Sequence, residues 1–299
     1  MRRCLRWLPI FLVLLVFGQA AAQGRIDCNA LQSHILGQTV HYCVLLPPGY
    51  DAATAAHSPR RYPVLYFLHG LGDNEQTLFK GGGWNLIEDL LQKGQISDFL
   101  VVAPEGKRSF FINSADGRVA YGDFFIREFI PYIESRYSIR RERSQRAISG
   151  VSMGGYGALR FAFAYPELFS SVSAQSAALI SQSPRQTEIM PMLTPLSGLL
   201  GSVFGNPVDL HHWNQNSPFV LAKRNRASIR TTKLSIYFHC GREDEFGFDQ
   251  GAKELHRQLQ EEGIEHEYHL YPGNHDAGYF LAHLGETLMF HSRVFAAGR

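Results

Sequence analysis

The stretch Arg146 to Tyr156, Arg-Ala-Ile-Ser-Gly-Val-Ser-Met-Gly-Gly-Tyr, constrains this chain more than any other. Alternation ending at Ile148 leads into Gly-x-Ser-x-Gly and then into the small-residue segment Tyr156 to Tyr165, which Pro166 stops. The pattern reads as strand, sharp turn, helix. Glycines at 150 and 154 suit a close crossing of strand and helix, where side chains would collide, and the turn lifts Ser152 clear of the backbone. A serine hydroxyl is a poor nucleophile unless a base takes its proton and N–H groups receive the oxyanion it creates. The residue after the serine, Met153, offers one such N–H.

The rest of the chain supplies a sheet for that turn. Tyr62 to Leu68 is a nearly continuous apolar run, as expected of a strand covered on both faces. Phe99–Ala103, Leu168–Ala174, Lys233–His239 and Glu265–Leu270 read as further strands. Between them, Trp84–Gln92, Asp123–Tyr137 with Pro131 as a kink, and Phe248–Gly263 have helical spacing. Alternation of this kind predicts an α/β fold with a mostly parallel central sheet and helices on both faces. No linker, repeat or long charge run divides the chain, and 45% apolar content fits a globular protein, so residues 23–299 are expected to form one domain. From Gln175 to about Lys223 the rhythm is lost, with prolines at 184, 191, 195, 207 and 218. An insertion there is expected to act as a lid or substrate wall. Trp213 within it is either a substrate contact or a core residue.

Residues 1–22 read as an export signal: Arg2, Arg3 and Arg6, an apolar run from Trp7 to Phe17, then Ala20-Ala21-Ala22. Eleven apolar residues fall short of the ~20 that a membrane span needs, so no stable membrane insertion is expected and the product is placed outside the cell or in the periplasm. Losing three arginines and no acid takes the formal charge from +2 to −1, which argues against nucleic acid as a partner. The remaining cysteines are Cys28, Cys43 and Cys240. Two strands, 30–36 and 39–46, meeting near Gly37 bring positions summing to about 73 opposite each other, and 28 with 43 sums to 71. Export favours oxidation, so a Cys28–Cys43 disulfide is expected over two separate buried thiols, with Cys240 free.

Three further positions complete a site. The strand Tyr62–Leu68 ends in His69-Gly70-Leu71-Gly72, where Leu71, or its neighbour Gly72, would supply the second oxyanion N–H. Cys240-Gly241-Arg242-Glu243-Asp244-Glu245 follows the strand 233–239 at the carboxyl edge of the sheet, where α/β sites gather. Asp244 is the acid chosen there, with Glu243 and Glu245 read as solvated neighbours. Of thirteen histidines, only His275 sits in a glycine-containing loop just after the last core strand, so it is the base. Neither His211-His212 nor His266-x-x-His269 has metal-ligand spacing, and no metal is expected.

The order Ser152, Asp244, His275, each at the end of a different strand, is the chain order of α/β-hydrolases. Together with Leu-Pro-Pro-Gly-Tyr-Asp, Tyr-Phe-Leu-His-Gly, Gly-Val-Ser-Met-Gly-Gly-Tyr-Gly-Ala, Cys-Gly-Arg-Glu-Asp and Gly-Asn-His-Asp, the chain from about Leu31 to His291 resembles the esterase D-like family of α/β-hydrolases. That family includes S-formylglutathione hydrolases, feruloyl and acetyl xylan esterases, and mycolyltransferases. The resemblance implies an α/β-hydrolase fold, no cofactor, and nucleophile, acid and base at Ser152, Asp244 and His275. It implies a small-molecule or carbohydrate-linked ester as substrate. Acyl transfer, thioester hydrolysis and a non-catalytic binding role on the same fold are the rival readings.

Overall fold

The computed structural model describes residues 23–55, 59–180 and 197–298. The predicted export signal and residues 181–196 of the predicted insertion lie outside them. Eight strands form one sheet: β1 (Arg25–Gln32), β2 (Thr39–Leu46), β3 (Val64–Leu68), β4 (Leu100–Pro104), β5 (Arg146–Val151), β6 (Ser171–Gln175), β7 (Ser235–Gly241) and β8 (Glu267–Tyr271). Their spatial order is β1-β2-β4-β3-β5-β6-β7-β8. β1 and β2 are antiparallel at one edge, and β3 through β8 run parallel.

Side-chain alternation along the parallel strands divides the core in two. Val64, Tyr66 and Leu68 face one layer, with Phe125, Phe129 and the elbow helix Met153–Ala164. Leu65 and Phe67 face the other, with the helix Trp84–Gln92 and the last helix, Ala277–Ala297. This is the α/β-hydrolase architecture expected. The predicted helix through Pro131 is broken into pieces: a wide turn over Phe125–Phe129 precedes Ile130–Arg136. Proline has no N–H to donate into the preceding turn, and the widening falls there. Inside this layer Arg146 at the head of β5 forms a two-pronged ion pair with Glu134 at 2.6 and 3.0 Å, which fastens that helix to the strand carrying the elbow.

The N-terminal hairpin differs from its expected boundaries. The first strand is 25–32, not 30–36, and positions summing to 71 pair, which sets Cys28 directly opposite Cys43. The first strand shows little alternation to read, because most of its residues are exposed. The two sulfurs are bonded, and Cys240 is free and buried. A bridge closing a separation of 15 residues contributes about 3 kcal/mol. Cys28→Ser with Cys43→Ser should lower stability by that order in a denaturant titration. Unreduced peptide mapping should show a Cys28–Cys43 linkage, and a linkage through Cys240 would overturn it.

Described parts of the predicted insertion, the helices Ser197–Phe204, Leu210–Asn216 and Pro218–Arg224, lie against the elbow helix. Tyr156 Oη donates to the Asn216 carbonyl at 2.9 Å, and Phe204 packs on Tyr156, Phe110 and Trp213. Trp213 is therefore a core residue: its ring is buried with a centroid 4.6 Å from that of Phe204.

Candidate active site

The elbow is built from contacts that only glycine permits. A Cβ on Gly150 would stand 2.3 Å from the carbonyl of Gly154, and one on Gly154 would stand 2.0 Å from the Leu68 carbonyl oxygen. Ser152 between them has φ 54 and ψ −117, a region that costs a side-chain-bearing residue about 1–3 kcal/mol. Three hydrogen bonds hold it there. Its N–H donates to the Gln175 carbonyl at 2.9 Å, and its carbonyl accepts from Tyr156 and Ala178, each at 3.0 Å.

The side chains of Ser152, His275 and Asp244, separated by up to 123 positions, meet at the carboxyl ends of β5, β8 and β7. Ser152 Oγ lies 2.9 Å from His275 Nε2, and His275 Nδ1 lies 2.8 Å from Asp244 Oδ2. The Asp244 side chain is fully buried. Burial alone would raise its pKa, but the hydrogen bond and charge of His275, the Cys240 thiol and the Phe246 N–H together hold it below the usual carboxylate value. Its second oxygen accepts from Phe246 N at 3.1 Å. The imidazole is boxed by Phe246, Phe248 and Phe280, ring centroids 5.0 to 5.3 Å away.

The acids beside Asp244 are exposed, as expected, but they are not idle. Glu243 Oε2 accepts the Gly273 N–H at 2.6 Å, and Glu245 Oε2 accepts the His275 N–H at 2.9 Å. Three successive carboxylates thus grip one loop, the central one by side chain and its neighbours by main chain. Gly241 completes the junction, since a Cβ there would stand 2.2 Å from the Gly273 carbonyl oxygen.

On the side where an oxyanion is expected, Met153 opens the elbow helix, so its N–H has no carbonyl one turn back. Leu71 lies in the turn after β3, and both it and Ser152 line one cavity. His69 shapes that turn. Gly106 donates its N–H to His69 Nε2 at 2.8 Å, so the ring proton sits on Nδ1 and donates to the Gly70 carbonyl at 2.7 Å. Burial lowers the pKa of His69 and keeps it neutral. In a trans peptide the N–H points opposite to the C=O, so fixing the Gly70 carbonyl also fixes the direction of the Leu71 N–H. The sequence pointed to the His-Gly turn but not to this use of the histidine. Two other buried histidines, His239 and His291, have pKa values pushed down to about 3, chiefly by burial, and stay neutral inside the fold.

The cavity beside Ser152 measures about 300 Å³. Its walls are Phe67 and Val151 from the sheet, Leu78, Gly81 and Gly83 from the segment after the His69–Gly72 turn, and Phe280, Leu281 and Leu284 from the last helix. Of the predicted insertion only Gln175 contributes among the described residues, and the rest of the wall was missed by the sequence reading. A usable signal existed: Asp276, which accepts the Tyr279 N–H at 2.8 Å, caps a run of helical periodicity. Among the described residues there is no cluster of metal-ligating side chains, and no helix is long and apolar enough to cross a membrane.

The family model described as "Putative esterase" matches residues 33–291. The chain is similar to an acetyl esterase of Caldicellulosiruptor saccharolyticus, 29% identical over 77% of this chain and 84% of that one. It is 28% identical to an esterase of Mycobacterium tuberculosis over 82% of this chain, but spans only 54% of that longer protein. Among solved structures, one titled ferulic acid esterase superposes with a TM-score of 0.76 at 24% identity, covering 92% of this chain and 99% of its own.

Proposed function

The chain belongs to the esterase family whose model spans most of its length, and from that premise we propose that it is an exported serine carboxylesterase acting on small acyl or feruloyl-type esters. The observation that carries the mechanism is the unbroken chain of hydrogen bonds from Ser152 Oγ through His275 to Asp244 beside a mainly apolar cavity. As Ser152 Oγ bonds to the acyl carbon, its proton passes to His275 Nε2. The carbonyl oxygen becomes an oxyanion received by the N–H groups of Met153 and Leu71. Collapse breaks the bond to the alcohol, which takes the proton from His275. A water then repeats the sequence on the acyl-enzyme, giving its proton to His275, and the acid leaves as Ser152 recovers its own.

Asp244 holds the Nδ1–H tautomer and balances the imidazolium charge. Relatives named acetyl esterase and ferulic acid esterase support ester hydrolysis as the chemistry. The arginine-led apolar segment at residues 2–17 supports export, and export argues against a cytoplasmic glutathione thioester as substrate. Hydrolysis is favoured over lipid transfer because about 300 Å³ lies at the lower end of the ~300–1,000 Å³ range of ligand pockets.

A panel of nitrophenyl esters of rising acyl length, with and without trehalose or simple alcohols as acceptors, tests the proposal. Short esters should be hydrolysed outright, with no transferred ester accumulating. Transfer to a sugar outpacing hydrolysis would replace the esterase reading by the acyltransferase one.

A further inference from the structure

Cys240 is the free cysteine of residues 23–299, and it is buried near the end of β7. A buried free thiol is commonly a small apolar filler with a weak S–H donor. Here the donor has a specific acceptor. Cys240 Sγ lies 3.4 Å from Asp244 Oδ2, across a turn in which the Asp244 N–H donates to the Gly241 carbonyl at 3.4 Å and the Gly247 N–H to the Asp244 carbonyl at 2.9 Å. Asp244, ionised as the partner of His275, has no proton to give, so the thiol is the donor. Burial pushes the thiol up and the charge of Asp244 adds to this, so the proton stays on sulfur.

A carboxylate offers about four acceptor positions, and Asp244 meets four donors. Oδ1 accepts from the N–H groups of Phe246 at 3.1 Å and Phe248 at 3.5 Å. Oδ2 faces His275 Nδ1 at 2.8 Å and the thiol at 3.4 Å. Thiol and imidazole therefore share one oxygen. A proton donated by sulfur fixes that oxygen in place and withdraws part of the charge that the imidazolium would otherwise meet. Other ionisable groups also surround the pair. Tyr268 of β8 and Tyr279 of the last helix keep their protons, burial pushing Tyr268 up to about 12 and Tyr279 further. Asp249 of the helix Phe248–Glu261 is paired with Lys253 at 2.7 Å, and Glu245 accepts the main-chain N–H of His275. Ser176, after β6, is the other polar side chain beside the thiol.

We propose that Cys240 is a positioning residue: its S–H holds Asp244 Oδ2 in place against His275 and moderates the charge that the imidazolium meets during turnover. This inference rests on the carboxylesterase reading above, and two measurements keep the two apart. The first is the S–H stretching band in the infrared, taken on the exported protein with its disulfide intact, where Cys240 is the single thiol. A hydrogen bond to a carboxylate lowers and broadens that band, so wild type should absorb at a lower wavenumber than Asp244→Ala, whose thiol has lost its acceptor. An identical band in the two proteins overturns the proposal without any reference to activity. The second is the pH dependence of kcat/KM on nitrophenyl acetate. Cys240→Ala leaves Oδ2 to His275 alone, so the imidazolium persists to higher pH and the low-pH limb should move up by about half a pH unit. Its plateau kcat should fall about threefold with KM little changed. A loss that is uniform at every pH, with the limb unmoved, is the mark of lost packing alone and overturns the proposal, as does a limb displaced downward. A wild type inert toward esters overturns the esterase reading and with it the role of Cys240 in turnover, even where the band shows the bond.

Discussion

Ser152→Ala should reduce ester turnover by on the order of 10⁵ to 10⁶ while leaving the protein folded, because members of such a triad act as a unit and the nucleophile is the one that cannot be bypassed. The structural side of this expectation follows from the elbow. Ser152 is held at φ 54 by main-chain bonds to Gln175, Tyr156 and Ala178, none of which uses its side chain. Alanine inherits the same strain and the same three bonds. Its unfolding midpoint should therefore stay within a few degrees of wild type. A fluorophosphonate, which loses fluoride as the serine oxygen bonds to phosphorus, should label wild type and leave Ser152→Ala unlabelled. Near wild-type turnover in the variant would remove Ser152 from the mechanism.

The sequence made the elbow legible because its constraint is steric and local. Gly150 and Gly154 fall where added Cβ atoms would stand 2.0 to 2.3 Å from backbone atoms, and no other residue type meets that demand. Asp244 and His275 could be read from their places after β7 and β8, since a parallel sheet gathers its loops at one edge. Most ends of the parallel strands shifted by a residue or two because ladders end where backbone pairing ends and not where hydrophobicity does: β7 continues through Cys240 and Gly241, which pair with Leu270 and Tyr271. Glu243 and Glu245 illustrate a deeper limit. An exposed carboxylate that accepts a main-chain N–H has the same one-dimensional signature as one that faces only water. The cavity wall was missed for a similar reason, since which helix covers Ser152 depends on packing between residues more than 120 positions apart.

The second large effect is expected at Asp244, where the hydrogen-bond geometry dictates the direction. Asp244 Oδ1 accepts from Phe246 N at 3.1 Å, and Oδ2 faces His275 Nδ1 at 2.8 Å. An asparagine has one accepting oxygen. Placed toward Phe246, it turns the amide NH₂ toward Nδ1, which must then accept, and the ring proton moves to Nε2. An Nε2–H imidazole cannot take the proton of Ser152. The opposite amide orientation preserves the tautomer but sets an NH₂ against the Phe246 N–H and removes the charge that stabilises the imidazolium. Either way Asp244→Asn should lower kcat by on the order of 10⁴ with a much smaller change in KM. Glu245→Gln keeps an amide oxygen for the His275 N–H and should cost little. Glu245→Ala removes that acceptor and should cost about tenfold, the loss of one hydrogen bond that sets the histidine's position. Glu243→Gln should likewise cost little, because its contact is with Gly273 and not with the base. A ranking in which Glu243→Gln is the damaging change and Asp244→Asn is mild would move the acid by one residue, and the burial of Asp244 beneath His275 would then be purely structural.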